Sequence, residues 1–186
     1  MTKTIYLMRH GETLFNRQRR IQGWCDSPLT ANGRAQATQA AAYFRDAHVH
    51  LDAAYCSTAE RASDTLALIT DLPYTRLKGL RERGFGEFEG QPEYLNPPRP
   101  YGDFFAPYGG ETDEQVDARI TAAVQSIVDT DPGQNILIVS HAGATMTFMH
   151  HWANLGFENR LHNCDIAQFS YADGVFKLVQ IIHPLH

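Results

Sequence analysis

Long apolar runs are missing from this sequence. The first apolar stretch opens after Lys3 and is cut by Arg9, too short for a signal-peptide core or a membrane span. A cytoplasmic location is the default expectation. Cysteine is scarce as well: Cys25, Cys56 and Cys164 are odd in number and show neither close pairing nor metal-ligand spacing, which argues for reduced thiols over a disulfide framework. Surplus positive charge is also lacking. Sixteen Lys and Arg stand against 21 Asp and Glu, a net charge of −5, so the global field repels nucleic acid and anionic membranes. Any anion must be captured locally. Nine histidines and many acids could supply a metal hydrolase, yet no H-E-x-x-H, paired-cysteine or EF-hand spacing occurs.

What is present is a chain of 186 residues, 43% hydrophobic and 20% charged, the size of one domain and able to bury a substantial core. Ile5 to Met8 reads as a buried strand that stops abruptly at Arg9, His10 and Gly11. In open α/β sheets the ligand crevice lies beyond the carboxyl ends of the strands, where Arg9 and His10 then project. Arginine is a permanently charged fork suited to phosphate, and histidine can act as a nucleophile near neutrality. Gly11 lets the backbone turn unobstructed. Asn135 to Val139 is a second buried strand, and it ends in S-H-A-G at 140–143. Two strands thus each deliver a histidine to a glycine-containing turn, the strongest internal argument for a shared site.

Other elements follow in alternation. Thr30 caps a helix to about Arg45, Leu51 to Cys56 is a strand, and S-T-A-E at 57–60 fits a capping box that places Arg61 in the first helical turn. A helix N-terminus already favours anions, and an arginine there adds a bidentate grip. Tyr74 to Leu77 is a strand, Thr112 to Gln115 opens a helix to about Asp129, and another helix runs from about Ala144 to Leu155. In that last helix His150 and His151 are adjacent, cannot form an i, i+4 metal pair, and read as structural or surface residues. Ile166 to Tyr171 and Val175 to Ile182, joined by A-D-G, read as a closing hairpin. The expected fold is a three-layer α/β sandwich with a mainly parallel central sheet and an antiparallel edge.

Two irregular segments stand out. Glu12 to Leu29 reads as a long loop in which Asn16, Gln22 and Gly23 offer amides for ligand oxygens, while Arg17, Arg19 and Arg20 add positive charge. Arg17 and Arg19 read as solvated. Residues 91–110 hold five prolines interleaved with Tyr94, Tyr101, Phe104, Phe105 and Tyr108, a segment too proline-rich for a long helix and too aromatic to be left in water. It reads as a packed lid. Between the two, Glu82, Glu87 and Glu89 compete for the role of proton donor, and spacing alone does not choose among them.

R-H-G-E-T at 9–13 with Asn16, Q-G-W-C-D-S-P-L-T-A-N-G at 22–33, Ser57 with Arg61, L-R-E-R at 80–83 and S-H-A-G at 140–143 together resemble the histidine phosphatase superfamily, also called phosphoglycerate mutase-like. The motifs stand in the family's order and span nearly the whole chain. The resemblance implies one histidine phosphatase domain over residues 1–186 and a phosphoryl transfer to His10, then from phosphohistidine to water. It implies a phosphate cluster of Arg9, Arg61, His10 and a protonated His141, with no metal or cofactor required. The family pattern makes Glu82 the proton donor, leaves Glu87 as runner-up and Glu89 as a solvated surface residue. It puts Asn16, Gln22 and Gly23 in the pocket, and the Ala142 N–H on another phosphate oxygen. For His10 to attack, its other ring nitrogen should be held by a backbone carbonyl near Gly11.

The expected partner is a small phosphorylated metabolite, and the expected activity a histidine acid phosphatase-type phosphomonoesterase; the sequence specifies no oligomeric state. A cysteine phosphatase is disfavoured, since Cys56 to Arg61 is one residue short of C-x5-R. A cofactor-dependent phosphoglycerate mutase is the alternative within the family, weakened because Arg99 is the only basic residue of the 91–110 segment. A non-catalytic phosphate-binding regulatory protein would be expected to have lost His10 or the acid, and both are retained.

Overall fold

Two apolar strands set the centre of the sheet. β1 (Lys3–Arg9) and β4 (Asn135–Ser140) are aliphatic at almost every inner position, so both their faces demand cover, as in the interior of parallel sheets. They pair in parallel with Ile5 beside Ile136 and Arg9 beside Ser140. The computed structural model describes residues 2–185 and adds β2 (Ala53–Ser57) and β3 (Tyr74–Leu77) on one side. On the other side lie β5 (Ile166–Ala172) and β6 (Val175–Ile182), the antiparallel hairpin. The order is β3-β2-β4-β1-β5-β6.

Strand alternation divides the core in two. Tyr6, Met8, Leu137 and Val139 face α2 (Ala31–Asp46) and α3 (Glu60–Ala67). Ile5, Leu7, Ile136 and Ile138 face α4 (Asp113–Thr130) and α5 (Ala142–Ala153). The result is a three-layer α/β sandwich, mostly parallel with an antiparallel edge. Thr30 and Thr112 cap α2 and α4 as their sequence signals require, the latter with a full capping box. Among the described residues no helix is long and apolar enough to cross a membrane.

Three local expectations are corrected. The 12–29 loop contains a single helical turn, α1 (Leu14–Arg17), held by a reciprocal cap between Thr13 and Asn16. S-T-A-E is not a capping box: Ser57 still belongs to β2, α3 starts at Glu60 with Ala59 as its uncapped N-cap, and the Ser57 hydroxyl is used by His141. In the 91–110 segment Phe105 is fully buried, with Phe85, Phe88, Tyr101 and Phe104 edge-on around it at 4.9–5.4 Å. Tyr94, however, is 83% exposed, because the Glu93 N–H donates to the Arg19 carbonyl and fixes the turn with that ring outward.

Candidate active site

The register of β1 on β4 puts the two histidine turns side by side. The His10 N–H donates to the Ser140 carbonyl at 3.1 Å, and the rings of His10 and His141 lie 5.2 Å apart. His10 Nδ1 meets the Gly11 carbonyl at 2.7 Å. That contact makes Nδ1 the protonated nitrogen and leaves the Nε2 lone pair free. Burial holds the imidazole well below its ordinary value, and the charges of Arg61 and then Arg9 push the same way, so His10 is neutral and nucleophilic at physiological pH. Sequence reasoning assigns Thr65 no role of its own, yet its hydroxyl accepts the Gly11 N–H at 3.0 Å and fixes the turn. Only a glycine fits at 11, since a Cβ would lie 2.5 Å from the Gly33 carbonyl oxygen.

Arg61 is wholly buried behind this pair. Its Nη1 donates to the Cys25 carbonyl and the Asp26 carboxylate, Nη2 to the Gly23 carbonyl, and Nε to His141 Nδ1 at 3.2 Å. Four of five donors are used, which leaves one N–H. His141 Nδ1 therefore carries a lone pair, and Nε2 pairs with the Ser57 hydroxyl at 2.7 Å. Burial, then Arg61 and His10, depress its basicity strongly. The expected protonated His141 is thus replaced by a neutral one, because its ring is fully buried and accepts a hydrogen bond from a guanidinium. Neither Arg61 nor His141 lines the cavity described below.

Arg9 does line it. Its Nη1 donates to the Leu161 carbonyl at 2.9 Å, while Nε is buried with no partner. Burial and the neighbouring Arg160 lower it to about 10, still cationic at neutral pH. Gln22 shows the same demand. Its Oε1 accepts from the hydroxyls of Thr13 and Ser27, at 2.9 and 2.8 Å, which fixes the amide with Nε2 buried and unpartnered on the cavity side. Asn16 Oδ1 likewise takes Thr13 N–H and Asn163 Nδ2, leaving its own NH2 available. Ala142 opens α5, where first-turn N–H groups have no intrahelical partner. Gly23 departs from its expected place: its N–H donates to Glu89 and it lies outside the cavity, packed where a Cβ would meet the Arg83 carbonyl at 2.1 Å.

The three acids separate clearly. Glu82 is buried near Arg9 and lines the same cavity as His10, with Oε1 accepting from the N–H groups of Arg83 and Ala144 and Oε2 from that of Gly143 alone. Oε2 is the oxygen with a lone pair to spare. Glu87 is exposed. Glu89 is not a solvated residue: its two oxygens accept four backbone N–H groups, from Gly23, Trp24, Cys25 and Phe85 at 2.7–3.1 Å. Sequence spacing carries no signal for such a clamp, since three of its four partners are backbone groups of a distant loop.

Arg9, His10, Asn16, Gln22, Glu82 and Ala142 converge on one cavity of about 600 Å³. His150 and His151, expected to be structural or surface residues, are exposed but line its mouth, where His151 Nδ1 meets Asp117 at 3.0 Å. Arg20, exposed at 20 within the loop, joins them there, and so does Arg160. Among the described residues no group of three His, Cys, Asp or Glu side chains is placed to hold a metal ion.

The geometry can be set beside known proteins. The family model of the histidine phosphatase superfamily (branch 1) matches residues 5–183. "Probable phosphoglycerate mutase GpmB" of Salmonella paratyphi A is 31% identical over 188 residues, covering 91% of this chain and 85% of that one. Among solved structures, phosphoglycerate mutase from Bacillus anthracis superposes with a TM-score of 0.84 at 28% identity, over 95% of this chain and 91% of its own. A mycobacterial glucosyl-3-phosphoglycerate phosphatase, solved in complex with VO3, gives 0.79 at 25% identity over 95% and 96%. From the first strand to the end of the closing hairpin, through both histidine turns, this chain belongs to the histidine phosphatase superfamily, branch 1.

Proposed function

We propose that the chain is a metal-independent phosphomonoester hydrolase that works through a phosphohistidine on His10. The observation that carries the reading is a nucleophile with a locked tautomer facing donors whose acceptor ends are all tied off. His10 presents only the Nε2 lone pair, while Arg9 Nε and Gln22 Nε2 are buried donors awaiting acceptors. A buried donor left unpaired costs roughly 1–3 kcal/mol, so a ligand made only of acceptor oxygens is favoured there. A tetrahedral phosphate supplies those oxygens. A metal cation would meet guanidinium and N–H groups instead.

Attack of Nε2 on phosphorus forms the P–N bond as the ester P–O bond breaks. The departing alkoxide takes a proton from Glu82 Oε2. Water then attacks phosphorus, Glu82 recovers a proton from it, the P–N bond breaks, and neutral His10 and inorganic phosphate remain. Charge on the equatorial oxygens is met by Arg9, the amides of Asn16 and Gln22, and the Ala142 N–H, while Arg61 adds its positive charge from behind the cavity wall. His141, neutral, acts by holding Arg61 in place. The expected substrate is a small phosphorylated metabolite.

A mutase is the second reading, favoured by one observation. The 91–110 segment contributes only Arg99, but Arg20, Arg83 and Arg160 reach the same cavity from elsewhere, so a second acidic group on a substrate would find cations. One experiment separates these readings: phosphate release from a panel of phosphomonoesters in chelator, with 3-phosphoglycerate isomerisation followed in the presence of the bisphosphate primer. Release that survives chelator and disappears in His10→Ala supports the hydrolase. Isomerisation outrunning release makes the chain a mutase, and phosphate binding without turnover makes it a non-catalytic phosphate-binding regulatory protein.

A further inference from the structure

The cavity is much larger than a phosphate. At about 600 Å³ it has room for roughly twenty waters at about 30 Å³ each, and falls in the range of pockets that enclose drug-sized molecules. The catalytic groups occupy only its buried end. The remaining wall is apolar or aromatic in large part: Ile21, Phe85, Tyr101, Met146, Leu155 and Phe157.

Within that wall one arrangement stands out. The guanidinium of Arg99 lies 4.7 Å from the ring centre of Tyr101 and 4.6 Å from that of Phe157, and so bridges the 91–110 segment and the turn after α5. Tyr101 is a fixed face, braced edge-on by Phe85 at 6.3 Å and Phe105 at 5.2 Å. Phe157 is 44% exposed at the mouth, an apolar surface with little other cover. Arg99 is itself exposed and forms no ion pair among the described residues. A flat cation held by ring faces and one exposed hydrogen bond to the Tyr101 hydroxyl is held weakly, by much less than a buried ion pair.

We propose that Tyr101 and Phe157 form the leaving-group site of this enzyme, and that it selects phosphomonoesters whose alcohol bears a planar aromatic ring, which takes the place of the Arg99 guanidinium between the two faces. The assignment rests on the phosphoryl-transfer reading of His10 for its chemistry, but not for its recognition. A ring is as thin as a guanidinium, offers the same two faces to stack on, and unlike the cation sheds apolar surface from water when it enters. Arg99 then swings into solvent, where its charge is better hydrated. A three-carbon acid phosphate would leave both rings untouched.

The test separates recognition from turnover. Calorimetric titration compares propylphosphonate, 3-phenylpropylphosphonate and 3-cyclohexylpropylphosphonate, none of which can be hydrolysed, with inorganic phosphate as reference. The phenyl compound is expected to bind about tenfold more tightly than the propyl one, and more tightly than the cyclohexyl one, which has the bulk without the flat face. Phe157→Ala is expected to lower the phenyl-to-propyl ratio about tenfold, and Arg99→Ala to raise it by vacating the slot. Turnover of 2-phenylethyl against ethyl phosphate, whose alcohols are similarly poor leaving groups, should show the same preference in kcat/KM. Equal affinity for the phenyl and propyl compounds, a preference for cyclohexyl, or a fall in the ratio on Arg99→Ala would each overturn the assignment. Aryl-selective binding with no turnover of any ester would leave the site standing and remove the hydrolase reading, whereas turnover without aryl selectivity would do the reverse.

Discussion

At the scale of single residues the decisive difference lies between two glutamates five positions apart. Glu82 lines the cavity beside His10, whereas Glu87 faces solvent. Glu82→Gln is therefore expected to lower kcat/KM, which reports the step that expels the alcohol, by about a hundred- to ten-thousand-fold for alkyl phosphates, and far less for p-nitrophenyl phosphate, whose leaving group needs no proton. Glu87→Gln should change neither. A large leaving-group-dependent loss in the Glu87 variant would reassign the acid. The two buried histidines make a separate prediction about stability. Both are held well below 6.5, so below that pH the unfolded chain takes up protons that the folded chain refuses. Their contribution is complete above about 6.5 and is lost as pH falls toward their folded values. Urea unfolding at stepped pH should show the slope of stability against pH shrink by about 1.4 kcal/mol per unit in His10→Asn, the value of one proton. The R-H-G and S-H-A-G turns that announce these histidines were legible in the sequence, because each follows an unmistakable apolar strand. The charge state of His141 was not, since it depends on burial in the folded core and then on a guanidinium 80 residues away.

At the scale of elements, loops are held by carboxylates that sequence patterns do not reveal. Glu89 gathers the 23–25 backbone and that of Phe85, and so aims the carbonyls of Gly23 and Cys25 at Arg61 and the amide of Gln22 at the cavity. Each oxygen takes two N–H groups, so an amide in its place would point a donor at two donors. Glu89→Gln is expected to raise KM about tenfold, with a smaller effect on kcat. In a double-mutant cycle with Gln22→Ala the two effects should be less than additive, and strict additivity would show that the clamp does not act through Gln22. Gly143 makes a sharper case. A Cβ there would stand 2.5 Å from Glu82 Oε1, so Gly143→Ala should displace the acid and reproduce the leaving-group dependence of Glu82→Gln without touching the carboxyl group itself. The capping threonines of α2 and α4 were readable because capping is local chemistry. Ser57 misled for the converse reason: a hydroxyl at a strand end has two possible customers, and a residue distant in sequence, His141, claimed it.

At the scale of the whole molecule, the strand order follows from burial. Strands apolar on both faces take the middle, and the alternating β5 and β6 close one side. That much was legible from periodicity. The cavity was not, because its wall is collected from the loop at 16–22, the 91–110 segment and both sides of α5. The core beneath it should be unforgiving: Phe148→Ala, fully buried and edge-on to Phe169 at 5.2 Å and Phe176 at 5.1 Å, is expected to cost about 3–5 kcal/mol in chemical denaturation. The placement of β1 between β4 and β5 has a consequence in time as well as in space. The proposed nucleophile directly follows β1, yet the strands that flank it begin at 135 and 166, and the carbonyl that steadies Arg9 is 152 residues further on. On a ribosome, where chains grow at about 5–20 residues per second, β1 therefore spends on the order of ten seconds without either neighbour. During that interval its bare, two-faced apolar edge is the part of the nascent chain most in need of a chaperone, and the chain can have no active site to use until its last strands have emerged.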